Sequence, residues 1–124
     1  MATTYPVYHV SFQDDHVGLF IQTDADGEGI LHHVRGAVET SGMHFEKWVN
    51  TDVAKYGTYV SRNLKGRVRK ESVDKIEEIC RSVEPPRKQF GPQGPLVPGA
   101  PIRRCGDWMA EVWEEIEKQH ALDG

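Results

Sequence analysis

His16-Val-Gly-Leu-Phe-Ile-Gln-Thr23, Asp24-Ala-Asp-Gly27 and Gly29-Ile-Leu-His-His-Val34 follow one another closely in the chain, and the rest can be read outward from them. The first and third runs are apolar, rich in β-branched and aromatic residues, and short enough for strands. Asp-Ala-Asp-Gly between them is turn chemistry, because Gly27 accepts positive φ and an Asp side chain bonds its own backbone. The two runs therefore pair as an antiparallel hairpin.

Upstream, Tyr5-Pro-Val-Tyr-His-Val-Ser-Phe12 reads as a further strand. Downstream, residues 44–55 around His44-Phe-Glu-Lys-Trp48 fit a strand or a short helix. Gly57 to Val68 alternates like a strand bent at Gly66. Val73, Ile76, Cys80 and Val83 recur at three- and four-residue spacing, which predicts a helix over 72–83 that Pro85-Pro86 stops. The segment from Glu84 to Arg104 holds six of the seven prolines and reads as a long loop. A second helix starts at Cys105, with Trp108, Met109, Val112, Trp113 and Ile116 on one stripe. The expected fold is α+β, a single domain over residues 1–124, with an antiparallel sheet of about four or five strands packed by two helices.

Composition removes several function classes. The 124 residues carry 19 acidic and 15 basic side chains for a net charge of -4, the wrong sign for a dedicated nucleic-acid binder. No apolar run approaches the ~20 residues of a membrane span, and Met-Ala-Thr-Thr-Tyr-Pro lacks the features of a secretory signal. These readings predict a cytoplasmic protein with no nucleic-acid partner and no membrane span. In a reducing compartment Cys80 and Cys105 stay free, so each needs its own explanation.

Cys80 is in register with Val73, Ile76 and Val83 and reads as a small buried hydrophobe. Cys105 opens its helix just after Arg103 and Arg104, where unpaired backbone N–H groups and cations favour the thiolate. A nucleophilic thiolate needs a base delivered by the fold. Of the six histidines, His44 and His120 lie on weakly defined or terminal segments, and His9 fits core or surface. His16 opens the second strand and His32 and His33 lie on the third, so the hairpin brings one of the latter beside His16. Adjacent strand residues point to opposite faces, so one of His32 and His33 faces the site and the other does not. His16, His32 and Cys105 are acceptable zinc ligands, but no CxxC, HxH or HExxH spacing accompanies them; no metal or cofactor is expected.

The order His16-Val-Gly-Leu-Phe-Ile21, Ile30-Leu-His32 and then Cys105-Gly-Asp-Trp-Met-Ala-Glu-Val112 resembles the permuted papain-like thiol enzymes related to NlpC/P60, including the lecithin:retinol acyltransferase-like and PPPDE groups. In those families the histidine precedes the cysteine. The chain also resembles small uncharacterised fungal proteins that share a HWAIFI strand, an IHxxG, a Pro-Pro after a charged helix, a proline-rich loop and a CQxW helix. Its counterparts are His16 to Ile21, Leu31-His32-His-Val-Arg-Gly36, Val83-Glu-Pro-Pro86 and Cys105-Gly-Asp-Trp108. The likeness implies a circularly permuted papain-like fold, a Cys105 nucleophile, His16 as its base and His32 as the group orienting that imidazole. Val17 stands where an aromatic is usual, Gly106 follows the cysteine, and Arg104 replaces the common Asn.

The implied chemistry is attack of the Cys105 thiolate on an acyl carbon of a small-molecule or peptide substrate, giving hydrolase or acyltransferase activity on an amide, ester or thioester. Two other readings use the same residues: a non-catalytic papain-like binding module, and a small isomerase or proton-transfer enzyme. The Pro/Gly loop reads as a spacer and as a wall over Cys105 with Phe90 and Leu96 as apolar contacts.

Overall fold

The computed structural model describes residues 3–123. Strands β1 (Thr4–Phe12), β2 (Val17–Gln22), β3 (Gly29–Ala37), β4 (Gly42–Thr51) and β5 (Tyr59–Arg69) form one antiparallel sheet in the order β4-β3-β2-β1-β5. The β2–β3 hairpin is present, with Leu19 opposite His32 and Ile21 opposite Ile30. Asp24 holds its turn, its carboxylate accepting the N–H groups of Asp26 and Glu28 at 2.9 and 3.1 Å.

The ambiguous middle block resolves into strand β4 followed by a single turn at Val53–Lys55. Strand β5 is bent as its glycine suggests: Gly66 has φ 155, and the register against β1 shifts between Val7 and Tyr8. Helix α1 (Val73–Ser82) and helix α2 (Cys105–Lys118) fall where periodicity puts them. The 84–104 segment is more ordered than a plain loop, because Phe90–Gly91 (β6) and Gly94–Pro95 (β7) close a small hairpin within it. Among the described residues no helix is long and apolar enough to cross a membrane.

Period-2 alternation divides the core in two. Val7, Leu19, Ile21, Val34 and Val68 face the helices and pack with Ile76, Ile79, Cys80, Trp108, Met109, Val112 and Ile116. On the opposite face Val10, Phe12, Phe20 and Leu31 pack with Val53 from the turn after β4. Cys80 is buried in the first cluster, and burial pushes its thiol up to about 12, which leaves it an inert packing residue.

Candidate functional site

One end of the sheet collects the reactive side chains. Between β1 and β2 the chain reverses through Asp14 and Asp15, both left-handed at φ 61 and 60. The His16 carbonyl accepts the Phe12 N–H at 2.8 Å, so the hairpin closes with His16 at the mouth of β2. The first residue of α2, Cys105, reaches the same end, and its thiol donates to the Asp15 carbonyl at 3.5 Å. Cys105, His16, Val38, Met43, Glu39 and Arg104 line one cavity of about 270 Å3.

Helix α2 begins cleanly because the Asp107 carboxylate accepts the Arg104 N–H at 2.8 Å, while the Arg104 carbonyl takes the N–H groups of Asp107 and Trp108. Among the described residues, no hydrogen bond uses the Cys105 or Gly106 N–H. Two backbone donors therefore lie free beside the sulfur at the positive end of a helix. The cations expected to act on the thiol are partly engaged elsewhere: Arg103 pairs with Glu111 at 2.8 Å and Arg104 with Glu39 at 3.2 Å.

His16 Nε2 and His33 Nδ1 lie 2.9 Å apart. That leaves Nδ1 of His16 without a protein partner among the described residues, and the ring also borders the cysteine cavity. Burial and then the Arg35 charge lower the pKa of His16. His33 is held down to about 3, first by burial and then by His16 and Arg35. The pair is therefore two neutral rings sharing a hydrogen bond at neutral pH, one able to accept a proton. Gly18 makes room for it, since a Cβ there would meet Leu31 Cδ1 at 2.9 Å and His33 Cβ at 3.2 Å.

The partner of His16 is thus His33, which corrects the assignment of His32. His32 alternates to the helix side, where it stacks on Phe45 with ring centroids 5.6 Å apart and is fully buried. Neither of its ring nitrogens has a hydrogen-bond partner, and burial lowers its pKa to about 4. The set His16, His32 and Cys105 weighed for zinc is therefore not assembled, and among the described residues no group of three or more His, Cys, Asp or Glu could hold a metal ion. Phe90 and Leu96 do not line the cysteine cavity, and Leu96 is 58% exposed.

Sequence reasoning passed over Gln89, which builds the approach to Cys105. Its amide oxygen accepts the Arg103 N–H and its amide nitrogen donates to the Arg103 carbonyl, both at 2.7 Å. Its own N–H donates to the Val38 carbonyl at 2.8 Å. Gln89 thereby ties the segment entering α2, through its side chain, to the β3–β4 turn of the facing wall, through its backbone.

Residues 4–123 match the model of a family of unknown function, DUF6540. The chain belongs to the DUF6540 family. No curated protein and no solved structure matches this DUF6540 chain.

Proposed function

We propose that the protein is a cysteine-dependent acyl-transfer or hydrolytic enzyme in which Cys105 is the nucleophile, His16 its base and His33 the group that orients His16. The observation that carries the reading is the shared cavity: a cysteine at a helix N-terminus and a histidine held by a second histidine border the same 270 Å3 space. In the reaction, His16 Nδ1 takes the thiol proton as the sulfur leaves the Asp15 carbonyl. The sulfur attacks the acyl carbon, and the oxyanion is met by the free N–H groups of Cys105 and Gly106. His16 returns the proton to the departing amine, alcohol or thiol. Water, an amine or an alcohol, deprotonated by the same ring, then resolves the thioester.

A binding module is the second reading, favoured by the thiol resting on a backbone carbonyl instead of on the imidazole. Alkylation by iodoacetamide near pH 6 separates the two. The enzyme reading expects Cys105 to react about tenfold or more faster than N-acetylcysteine, and His16→Ala to remove that advantage. Labelling no faster than the free thiol, unchanged by His16→Ala, would overturn the enzyme reading and favour the binding module.

A further inference from the structure

The histidine pair leans on a row of side chains from β3 and β4, on the sheet face away from the helices. Pairing sets Leu31 opposite Trp48, His33 opposite Glu46 and Arg35 opposite His44, and alternation turns all six to that face.

The last torsion of a histidine has no sharp preference, so one hydrogen bond leaves the ring free to rock about it. His33 makes just one, to His16 at 2.9 Å, while its Nε2 is buried with no partner. Packing must therefore set its ring plane. The ring packed against it is Trp48, with centroids 4.5 Å apart and planes at 80°, and no other aromatic pair among the described residues is closer.

Trp48 is held in its turn. Its Nε1 donates to Glu46 Oε1 at 2.8 Å, the Arg35 guanidinium lies over its ring at 5.1 Å, and Tyr56 meets it edge-on at 5.8 Å. Glu46 stands opposite His33 yet bonds along its own strand, where one oxygen takes the indole N–H and the other bonds His44 Nε2. Two bonds fix the carboxylate, and the indole hangs from it.

We propose that Glu46 and Trp48 are positioning residues for the thiol reaction: the carboxylate fixes the indole, the indole fixes the plane of His33, and His33 keeps His16 aimed. This rests on the function proposed above, in which His16 is the base of Cys105. Neither residue lines the cysteine cavity, so both act through the histidines. What Glu46 supplies is an acceptor for Trp48 Nε1–H. Its charge is countered by Arg35 at 4.0 Å and by solvent.

The test compares Glu46→Leu, Glu46→Gln and Trp48→Phe, each in a Cys105→Ser background at pH 7. The two ring-nitrogen shifts of His16, read by NMR through its carbon-bound protons, lie far apart when one tautomer is fixed and converge when tautomers mix. Working without the thiol reads the pair whether or not Cys105 reacts. Failure of the enzyme reading would show instead as slow alkylation of the unsubstituted chain, with these shifts behaving as expected.

Glu46→Leu should cut the separation of the two shifts by about half, and Glu46→Gln, whose amide oxygen still accepts the indole N–H, should restore most of it. Trp48→Phe keeps a ring against His33 but lacks the donor, so it should match Glu46→Leu and carries the test if that variant does not fold. With the thiol present, alkylation of Cys105 near pH 6 should slow about fivefold in Glu46→Leu and recover in Glu46→Gln. Nitrogen shifts already converged before substitution, or unmoved in folded Glu46→Leu and Trp48→Phe, would overturn the proposal. So would equal losses in Glu46→Gln and Glu46→Leu, which would make the carboxylate charge the cause.

Discussion

His32 and His33 are chain neighbours whose imidazoles serve opposite faces of the sheet: His33 meets His16 across 2.9 Å, while His32 stacks on Phe45 with centroids 5.6 Å apart. The side-chain period of a strand makes this division unavoidable. What the local pairing adds is which ring goes where. Leu19 faces the helices with Val7 and Ile21, and His32 stands opposite Leu19, so His32 is drawn into the helix-side core. His33 is left on the face where the β1–β2 turn delivers His16.

His32 should make the protein acid-sensitive. Its pKa falls from 6.5 to about 4 on folding, so between those values the unfolded chain binds the proton more readily. Stability is full above about pH 6.5 and is lost as the pH falls through about 4, by roughly 3 kcal/mol for this one group. His32→Leu removes both unpartnered nitrogens and is expected to stabilise by about 1–2 kcal/mol at pH 7 and by more at pH 4.5. Urea unfolding at the two pH values checks this; an equal loss of stability at both would contradict it.

His33 should matter through His16. His33→Leu leaves His16 Nε2 without its partner, so the imidazole loses its fixed orientation and tautomer, and Cys105 alkylation is expected to slow about tenfold. His33→Gln can still present a side-chain acceptor and should recover part of the rate. A shifted pH profile of alkylation in His33→Leu, reversed in His33→Gln, marks a positioning role; matched melting curves with unmoved profiles would deny it.

Periodicity and turn chemistry were sufficient for much of this. The apolar spacing of Val73, Ile76 and Cys80 and of Trp108, Val112 and Ile116 places both helices, and the Asp24–Gly27 turn places the central hairpin. That Cys105 and His16 come to border one cavity depends on how α2 crosses the sheet, which no local pattern encodes. Choosing between His32 and His33 needed the face of β2, and the cue was Gly18: a missing side chain inside an apolar strand marks where another group comes close. Gln89 sits in a segment whose prolines and glycines announce a loop but say nothing of its anchors.

Gln89→Leu should loosen the entry to α2. It deletes both amide bonds to Arg103, leaving that residue's N–H and carbonyl without the partners they have now. A destabilisation of about 2 kcal/mol is expected. Amide hydrogen exchange gives the sharper reading: the Arg103 N–H should lose protection, while core amides such as that of Ile76 change only with global stability. Unaltered Arg103 protection in a folded variant would show that the clip is dispensable.

The two partnered indoles of α2 should differ in worth. Trp108 is fully buried and donates from Nε1 to the Val83 carbonyl at 3.0 Å, closing the C-terminal end of α1. Trp113 is only part-buried and donates to His9 Nδ1 at 2.8 Å. Trp108→Phe takes the indole donor from the half-buried Val83 carbonyl and leaves a void in the core where the larger ring was, with an expected cost of about 3 kcal/mol. Trp113→Phe exposes its former acceptor to water and should cost about 1 kcal/mol. Because Trp108 lies one turn from Cys105 and packs against Phe45, which in turn stacks on His32, its loss should also change the rate at which iodoacetamide reaches the thiol. Chemical denaturation of the two variants, with Cys105 labelling in each, tests the ranking. Equal costs would mean that the α1–α2 contact is not held by the Trp108 bond, and that packing of α2 on the sheet alone sets the position of the cysteine.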